Sequence, residues 1–85
     1  MVTLQVLIEQ IISVFEQVTY MDLSNVELTA DLEEDLGIDM DTDFPRIVSQ
    51  LSKKFHLPED VSELLLDATT LKQVVGIIRE ETELG

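Results

Sequence analysis

Residues 36–55 read LGIDMDTDFPRIVSQLSKKF and contain the clearest helical pattern in the chain. In the second half of this stretch, apolar side chains recur three, four, seven and eleven residues after the first of them. That spacing places them on one face of an amphipathic helix, which predicts contact between this face and a core. The residues of the face are Phe44, Ile47, Val48, Leu51 and Phe55.

The residues around this pattern predict where the helix begins and ends. Asp41 or Asp43 is expected to cap its N-terminus. Pro45 is compatible with a helix only in the first turn, where the N–H that it lacks would have no intrahelical partner. Lys53 and Lys54 suit the C-terminal end, because the helix dipole favours positive charge there.

Weaker helical patterns lie on both sides of this one. The first helix is predicted from about Leu4 to Val18, with Thr3 as its cap. A short third helix is predicted from about Glu59 to Leu66, after Pro58, and Thr70 is expected to cap a fourth. The residues predicted to face the core are Leu4, Leu7, Ile8, Ile11, Ile12, Phe15 and Val18 in the first helix, Val61, Leu64 and Leu65 in the third, and Leu71, Val74, Val75, Ile77 and Ile78 in the fourth.

The helical periodicity lapses between residues 19 and 35, so this stretch is predicted to be a long connection. Its apolar residues Leu23, Val26, Leu28 and Leu32 are expected to hold it against the helices. The sequence therefore predicts an all-α fold: a four-helix bundle with a long first loop and a short third helix, in a single domain of residues 1–85.

Composition limits the functions that are open to the chain. Its 85 residues are 45% apolar, which suffices for one small core. They include no cysteine, so disulfides, thiol catalysis and cysteine-bound zinc are excluded. Polar residues interrupt the apolar stretch 2–18, so neither a signal peptide nor a membrane span is expected there, and a cytoplasmic location is the default expectation.

The charge of the chain favours a basic partner. A net charge of -13 disfavours binding to nucleic acid and to anionic membranes, because both would repel the protein. Between residues 31 and 43 seven acidic residues occur with no Lys or Arg among them. They are Asp31, Glu33, Glu34, Asp35, Asp39, Asp41 and Asp43.

The order of these features resembles the acyl carrier protein family over nearly the whole chain. The resemblance depends on the stretch DLGID at residues 35–39, the amphipathic helix after it, the short helix after Pro58, and the Thr69-Thr70 pair that opens the last helix. The resemblance implies a four-helix bundle of the acyl-carrier type. Members of the family hold a serine at the start of the second helix, to which a transferase attaches 4'-phosphopantetheine. The thiol of this arm carries the acyl, polyketide or aminoacyl groups of fatty acid, polyketide or nonribosomal peptide synthesis.

The attachment serine is absent from this chain. Counting forward from Leu36 places Met40 at its position, whereas counting back from Phe55 places Asp41 there, with one residue inserted. The second alignment is preferred, because the register of a buried helix is harder to shift than a loop. A thioether has no proton to lose, and a carboxylate would give a mixed anhydride that water cleaves. No phosphopantetheine is therefore expected at this position.

The resemblance and the charge pattern together predict a site around the start of the second helix. Asp39, Met40 and Asp41 are expected where the family holds the arm. The remaining candidates are expected to bind a partner: Glu33, Glu34, Asp35 and Asp43 by charge, and Phe44 and Ile47 by apolar contact unless they belong to the core.

Other interpretations of the same residues are weaker. Thr42 is a nearby hydroxyl, but it is β-branched and displaced by one residue from the attachment position. The spacing Asp39-x-Asp41-x-Asp43 imitates the first ligands of an EF-hand, but Phe44 stands where that loop needs glycine and Gln50 where it needs glutamate, so no dedicated metal site is expected. A single histidine, expected at the surface, offers no catalytic pair, and the chain is not expected to be an enzyme.

Three functions remain open. The first is a docking or regulatory module, presumed monomeric, that binds basic surfaces of synthase or carrier-processing enzymes. The second is a working carrier loaded at an atypical residue such as Thr42. The third is an acidic helical inhibitor that mimics a polyanion at a nucleic-acid-binding site.

Overall fold

The computed structural model describes residues 3–84, which form four α-helices and no strand. In chain order the helices are α1 (Leu4–Thr19), α2 (Asp43–Phe55), α3 (Glu59–Leu66) and α4 (Leu71–Leu84). The all-α, four-helix prediction is confirmed, as are the long first connection and the short third helix. Within the described range, no helix has both the length and the apolar character needed to cross a bilayer.

Two of the predicted helix caps are present. The Thr3 hydroxyl accepts a hydrogen bond from the Val6 N–H at 3.2 Å. At α4 the Thr70 hydroxyl accepts from the Gln73 N–H at 3.2 Å, while the Gln73 side-chain oxygen accepts from the Thr70 N–H at 3.3 Å. These reciprocal bonds form a capping box, which satisfies N–H groups that have no partner inside the helix.

The core lies between the inner faces of the four helices. α1 packs against α2 and α4, and α3 packs against the same two helices. The rings of Phe15 and Phe44, at 0% and 1% exposure, lie at its centre with centroids 6.5 Å apart. No polar or charged residue among those described is buried. The stability of the fold therefore depends on apolar burial.

Two of the leucines predicted to face the core are exposed instead. Leu4 is 45% exposed because it is the first residue of α1. Leu64 is 57% exposed because the eight-residue helix α3 buries only Val61 and Leu65, which are four residues apart and share one face. Leu64 lies about 100° around the helix from Leu65, outside that face. Phe55 and Ile77 are half-buried.

The long first connection is held in place, as predicted, and main-chain bonds contribute to this. Leu23 and Leu32 are buried, and Val26 and Leu28 are half-buried against the core. The Leu32 N–H donates to the Thr69 carbonyl at 2.9 Å. The N–H groups of residues 71 and 72 donate to the carbonyls of residues 30 and 28 at 3.3 and 2.7 Å. These bonds tie the connection to the start of α4.

Candidate functional site

We call residues 31–43 the acidic loop; it precedes α2 and is fixed by two buried side chains. Leu32 is 0% and Ile38 is 1% exposed, and the Ile38 N–H donates to the Leu32 carbonyl at 3.0 Å. Sequence reasoning missed the burial of Ile38, because a single apolar residue outside a helix belongs to no periodic pattern. The two anchors give the loop a defined shape.

Two of the acidic residues shape the first half of the loop. The Asp31 carboxylate accepts hydrogen bonds from the N–H groups of Glu33 and Glu34 at 2.9 and 2.8 Å. The Asp35 carboxylate accepts from the Asp31 N–H at 2.7 Å. Glu33 and Glu34 are exposed, and their carboxylates make no hydrogen bond to any described residue. These two charges are therefore displayed on a loop that its neighbours hold in place.

Gly37 allows the loop to turn back toward the core. Its φ is 69°, in the left-handed region that side chains disfavour, and its N–H donates to the Glu33 carbonyl at 3.0 Å. The left-handed backbone at this position thus explains why the Leu-Gly-Ile-Asp stretch contains a glycine.

Asp39 organises the entry into α2. Its carboxylate accepts from the N–H groups of Asp41 and Thr42 at 2.9 and 3.2 Å. Its carbonyl accepts from those of Asp43 and Phe44, each at 2.9 Å. The two bonds to the carboxylate, from Asp41 first and then from Thr42, lower the pKa of Asp39 because they favour its charged form.

The predicted cap of α2 was therefore wrong. The N-cap residue is Thr42, whose hydroxyl makes no capping bond, and Asp43 is already the first helical residue. The physical reason is the turn at residues 40–42, which brings the Asp39 carboxylate under the N–H groups two and three residues later. Asp39 thus supplies the charged acceptor that was expected from Asp41 or Asp43.

The three residues nearest the expected attachment position differ in their surroundings. Met40 is half-buried and packs against the core. Asp41 is exposed and lies in the turn, two residues before α2. Thr42 is exposed at the N-cap and is the only one of the three with a hydroxyl.

Phe44 and Ile47, predicted as partner-binding residues, are core residues. They are 1% and 0% exposed, on the inner face of α2, and the Phe44 ring faces Phe15. A partner in contact with the surface cannot reach them. We therefore define the acidic surface by its exposed carboxylates alone; Asp43 is half-buried beside them. The residues of the acidic surface are Glu33, Glu34, Asp35, Asp39 and Asp41.

Two other candidate chemistries can be compared with the geometry. Within residues 3–84, no three of the histidine and acidic side chains are placed to hold one metal ion. His56 is exposed, as predicted, and caps the end of α2 in a left-handed conformation with φ 55°. Its main-chain N–H donates to the Ser52 carbonyl, which closes the helix end.

An open groove of about 410 Å³ separates α2 from α3. Its lining includes Val48 but also the hydroxyls of Ser49, Ser52 and Ser62, and the last two are hydrogen-bonded to each other. This groove has a mixed lining of apolar side chains and serine hydroxyls, and it is open to solvent rather than an enclosed tunnel.

Comparisons with known proteins add no further assignment. The chain matches no protein-family model, and neither a curated protein nor a solved structure is significantly similar to it. The site is therefore described by its own geometry: a fixed loop, a group of exposed carboxylates, and no serine among residues 31–43.

Proposed function

We propose that this chain is an acyl-carrier-like protein that carries no 4'-phosphopantetheine at the usual position and acts as a docking or regulatory module. Its partners in this proposal are basic surfaces of synthase or carrier-processing enzymes. The observation that carries the proposal is the acidic surface, which is held ahead of α2 where Met40 and Asp41 offer no nucleophile that could keep the arm.

The fixed shape of the loop supports a docking role. Because Leu32 and Ile38 are buried and Asp31 bonds to the backbone, little conformational entropy remains to be lost when a partner binds. The carboxylates of Glu33 and Glu34 are exposed and unbonded among the described residues, so they are available to a basic partner. Exposed charges of this kind mainly accelerate association and select the partner, and salt screens them.

The residues ahead of α2 support the absence of the arm. The Met40 side chain packs against the core, and a thioether forms no phosphodiester. The exposed Asp41 carboxylate places negative charge beside the position of the arm's phosphate, a repulsion of about 1 kcal/mol through water at ~4 Å.

The mass of the intact protein tests the missing attachment. After incubation with coenzyme A and a broad-specificity phosphopantetheinyl transferase, the wild-type chain is expected to keep its mass. Asp41→Ser and Met40→Ser test which of the two positions matches the family's serine, and a conventional carrier protein serves as the positive control. A wild-type chain that gains a phosphopantetheinyl group would contradict the proposal.

A second candidate function is a carrier loaded at Thr42. The observation in its favour is that Thr42 is exposed at the N-cap of α2 and its hydroxyl caps no helix N–H. In that case the wild-type chain gains the mass of the arm and Thr42→Val does not. Thr42→Val is a matched control, because it keeps the branched shape and removes only the hydroxyl.

The docking role is tested by binding to the same transferase, used as a representative carrier-processing enzyme. Replacing both Glu33 and Glu34 by glutamine is expected to weaken binding at low salt and to reduce its salt dependence. Replacing the exposed Glu9 and Glu27 by glutamine changes the net charge equally and serves as the control. Equal weakening by both pairs would show that net charge alone acts. Competition by a DNA duplex for the partner that the chain binds would instead favour the polyanion mimic.

A further inference from the structure

A second groove, of about 390 Å³, lies between α3 and α4. We call it the α3–α4 groove, and none of its lining residues belongs to the acidic loop. Apolar side chains and one glycine line it, together with two carboxylates. They are Leu64, Ala68, Gly76, Ile77, Asp67 and Glu80, and the Gln73 amide side chain also lines the groove.

Two residues of this groove have no explanation inside the fold. Leu64 is 57% exposed, so the core does not require it. Gly76 lies in the interior of α4, where glycine is a poor helix former, and a Cβ added to it would meet nothing within 4 Å. Internal packing therefore requires neither a leucine at position 64 nor a glycine at position 76, yet both residues line the same groove.

The combination suits an external helix that packs closely. Leu64 and Ile77 supply apolar contact, and the absence of a side chain at Gly76 leaves room for an apolar side chain from outside. The exposed carboxylates of Asp67 and Glu80 line the same space, and no basic residue does. Charge complementarity therefore favours a positively charged occupant, whereas a second copy of this chain would bring a net charge of -13 to the contact.

We propose that the α3–α4 groove docks an amphipathic helix of a partner protein. The apolar stripe of that helix lies against Leu64 and over Gly76, and its flanking Lys or Arg side chains face Asp67 and Glu80. This mode of recognition is helix-in-groove binding, in which one apolar face supplies most of the contact.

The test uses a labelled peptide of about 18 residues, with leucines spaced i, i+3, i+4, i+7 and lysines elsewhere. A second peptide has the same composition with its leucines distributed around the helix. The decisive variant is Gly76→Leu, which fills the groove and replaces glycine by a better helix former, so it is expected to stay folded. Gln50→Leu adds an exposed leucine on α2, outside the groove, and serves as the control.

The wild-type chain and Gln50→Leu are expected to bind the amphipathic peptide equally. Gly76→Leu is expected to bind it about tenfold more weakly, which corresponds to ~1.4 kcal/mol. Leu64→Gln is expected to weaken binding as well, and because this side chain is exposed the substitution leaves the core intact.

Three results would overturn the proposal. The first is equal affinity of the wild type, Gly76→Leu and Leu64→Gln for the peptide. The second is equal binding of the two peptides, since charge alone would then explain it. The third is sedimentation that shows a wild-type dimer lost in Gly76→Leu, because a second copy would then be the occupant of the groove.

Discussion

Gly37 and Gly76 occupy environments that predict opposite effects of the same substitution by alanine. At Gly37 the backbone has φ 69°, and a Cβ would meet no atom within 4 Å. The expected cost of Gly37→Ala is therefore purely conformational. A left-handed conformation costs an L-residue about 1–2 kcal/mol, so the variant is expected to lose that much free energy of unfolding.

At Gly76 the backbone is helical and the space for a Cβ is equally open. Alanine restricts the unfolded chain and suits the helix, so Gly76→Ala is expected to gain about 0.5–1 kcal/mol. The two variants carry the same added methyl group. They differ only in the backbone conformation that receives it.

Urea titration followed by circular dichroism measures both changes, and thermal melting provides a second readout. A change of about 1 kcal/mol corresponds to roughly 4–8 °C in the Tm of a domain of this size. Changes of the same sign in the two variants would refute the reasoning, because the added volume and not the backbone would then decide the outcome.

Four further predictions concern the entry into α2 and the start of α4. Asp39→Asn is expected to lower the urea midpoint near pH 7, and this effect is expected to fade in acid. The hydrogen bonds that lower the pKa of Asp39 stabilise the fold above the ordinary pKa of aspartate, and this contribution is lost as the pH falls through the lowered value. Phe44→Ala is expected to cost ~3–5 kcal/mol, because its buried ring faces Phe15. Asp41→Ser is expected to change the free energy of unfolding by less than ~0.5 kcal/mol, because its side chain is exposed. Denaturant titration compares Phe44→Ala with Asp41→Ser, and a Phe44→Ala variant as stable as the wild type would show that Phe44 does not support the core. Gln73→Ala is expected to lower the free energy of unfolding by about 1 kcal/mol, because the Gln73 side chain accepts hydrogen bonds from the N–H groups of Thr69 and Thr70 at the start of α4. Faster amide exchange at Thr70 would report the loss of these bonds.

The helices could be predicted from the sequence because each one carries a long or well-punctuated apolar pattern. α2 has five apolar residues in helical register, and Thr3 and Thr70 cap helices through contacts only three residues away. Signals of this kind are local, so sequence spacing alone describes them.

The predictions of the α2 cap and of the burial of Leu64 failed, and the burial of Ile38 was missed, because each depends on contacts between segments and not on local spacing. Asp39 accepts hydrogen bonds at the entry of α2 from outside the helix, because the turn at residues 40–42 brings its carboxylate there. Leu64 is followed by two more leucines, Leu65 and Leu66, and only the direction of α3 against the core decides which of the three is buried. Ile38 is buried through a loop contact that periodicity does not encode.

For the candidate site, the positions of the acidic residues follow from the sequence, but the exposure of each side chain does not. Phe44 and Ile47 follow the carboxylates in the chain, yet the inner face of α2 buries them. Glu33 and Glu34 are exposed because the buried side chains of Leu32 and Ile38 hold the loop against the core. The groove between α3 and α4 could not be predicted from the sequence, in which the glycine inside α4 is the one local signal of it.

The main-chain bonds between the first connection and the start of α4 make these two segments one cooperative unit. Leu32 donates to Thr69, and the N–H groups of Leu71 and Lys72 donate back to residues 30 and 28. If the connection opened, the first turn of α4 would lose its partners at the same moment, so these amides should exchange with solvent together. A chimera that transplants residues 28–43 onto another helical scaffold is therefore expected to keep their shape only if residues 69–72 are transplanted with them.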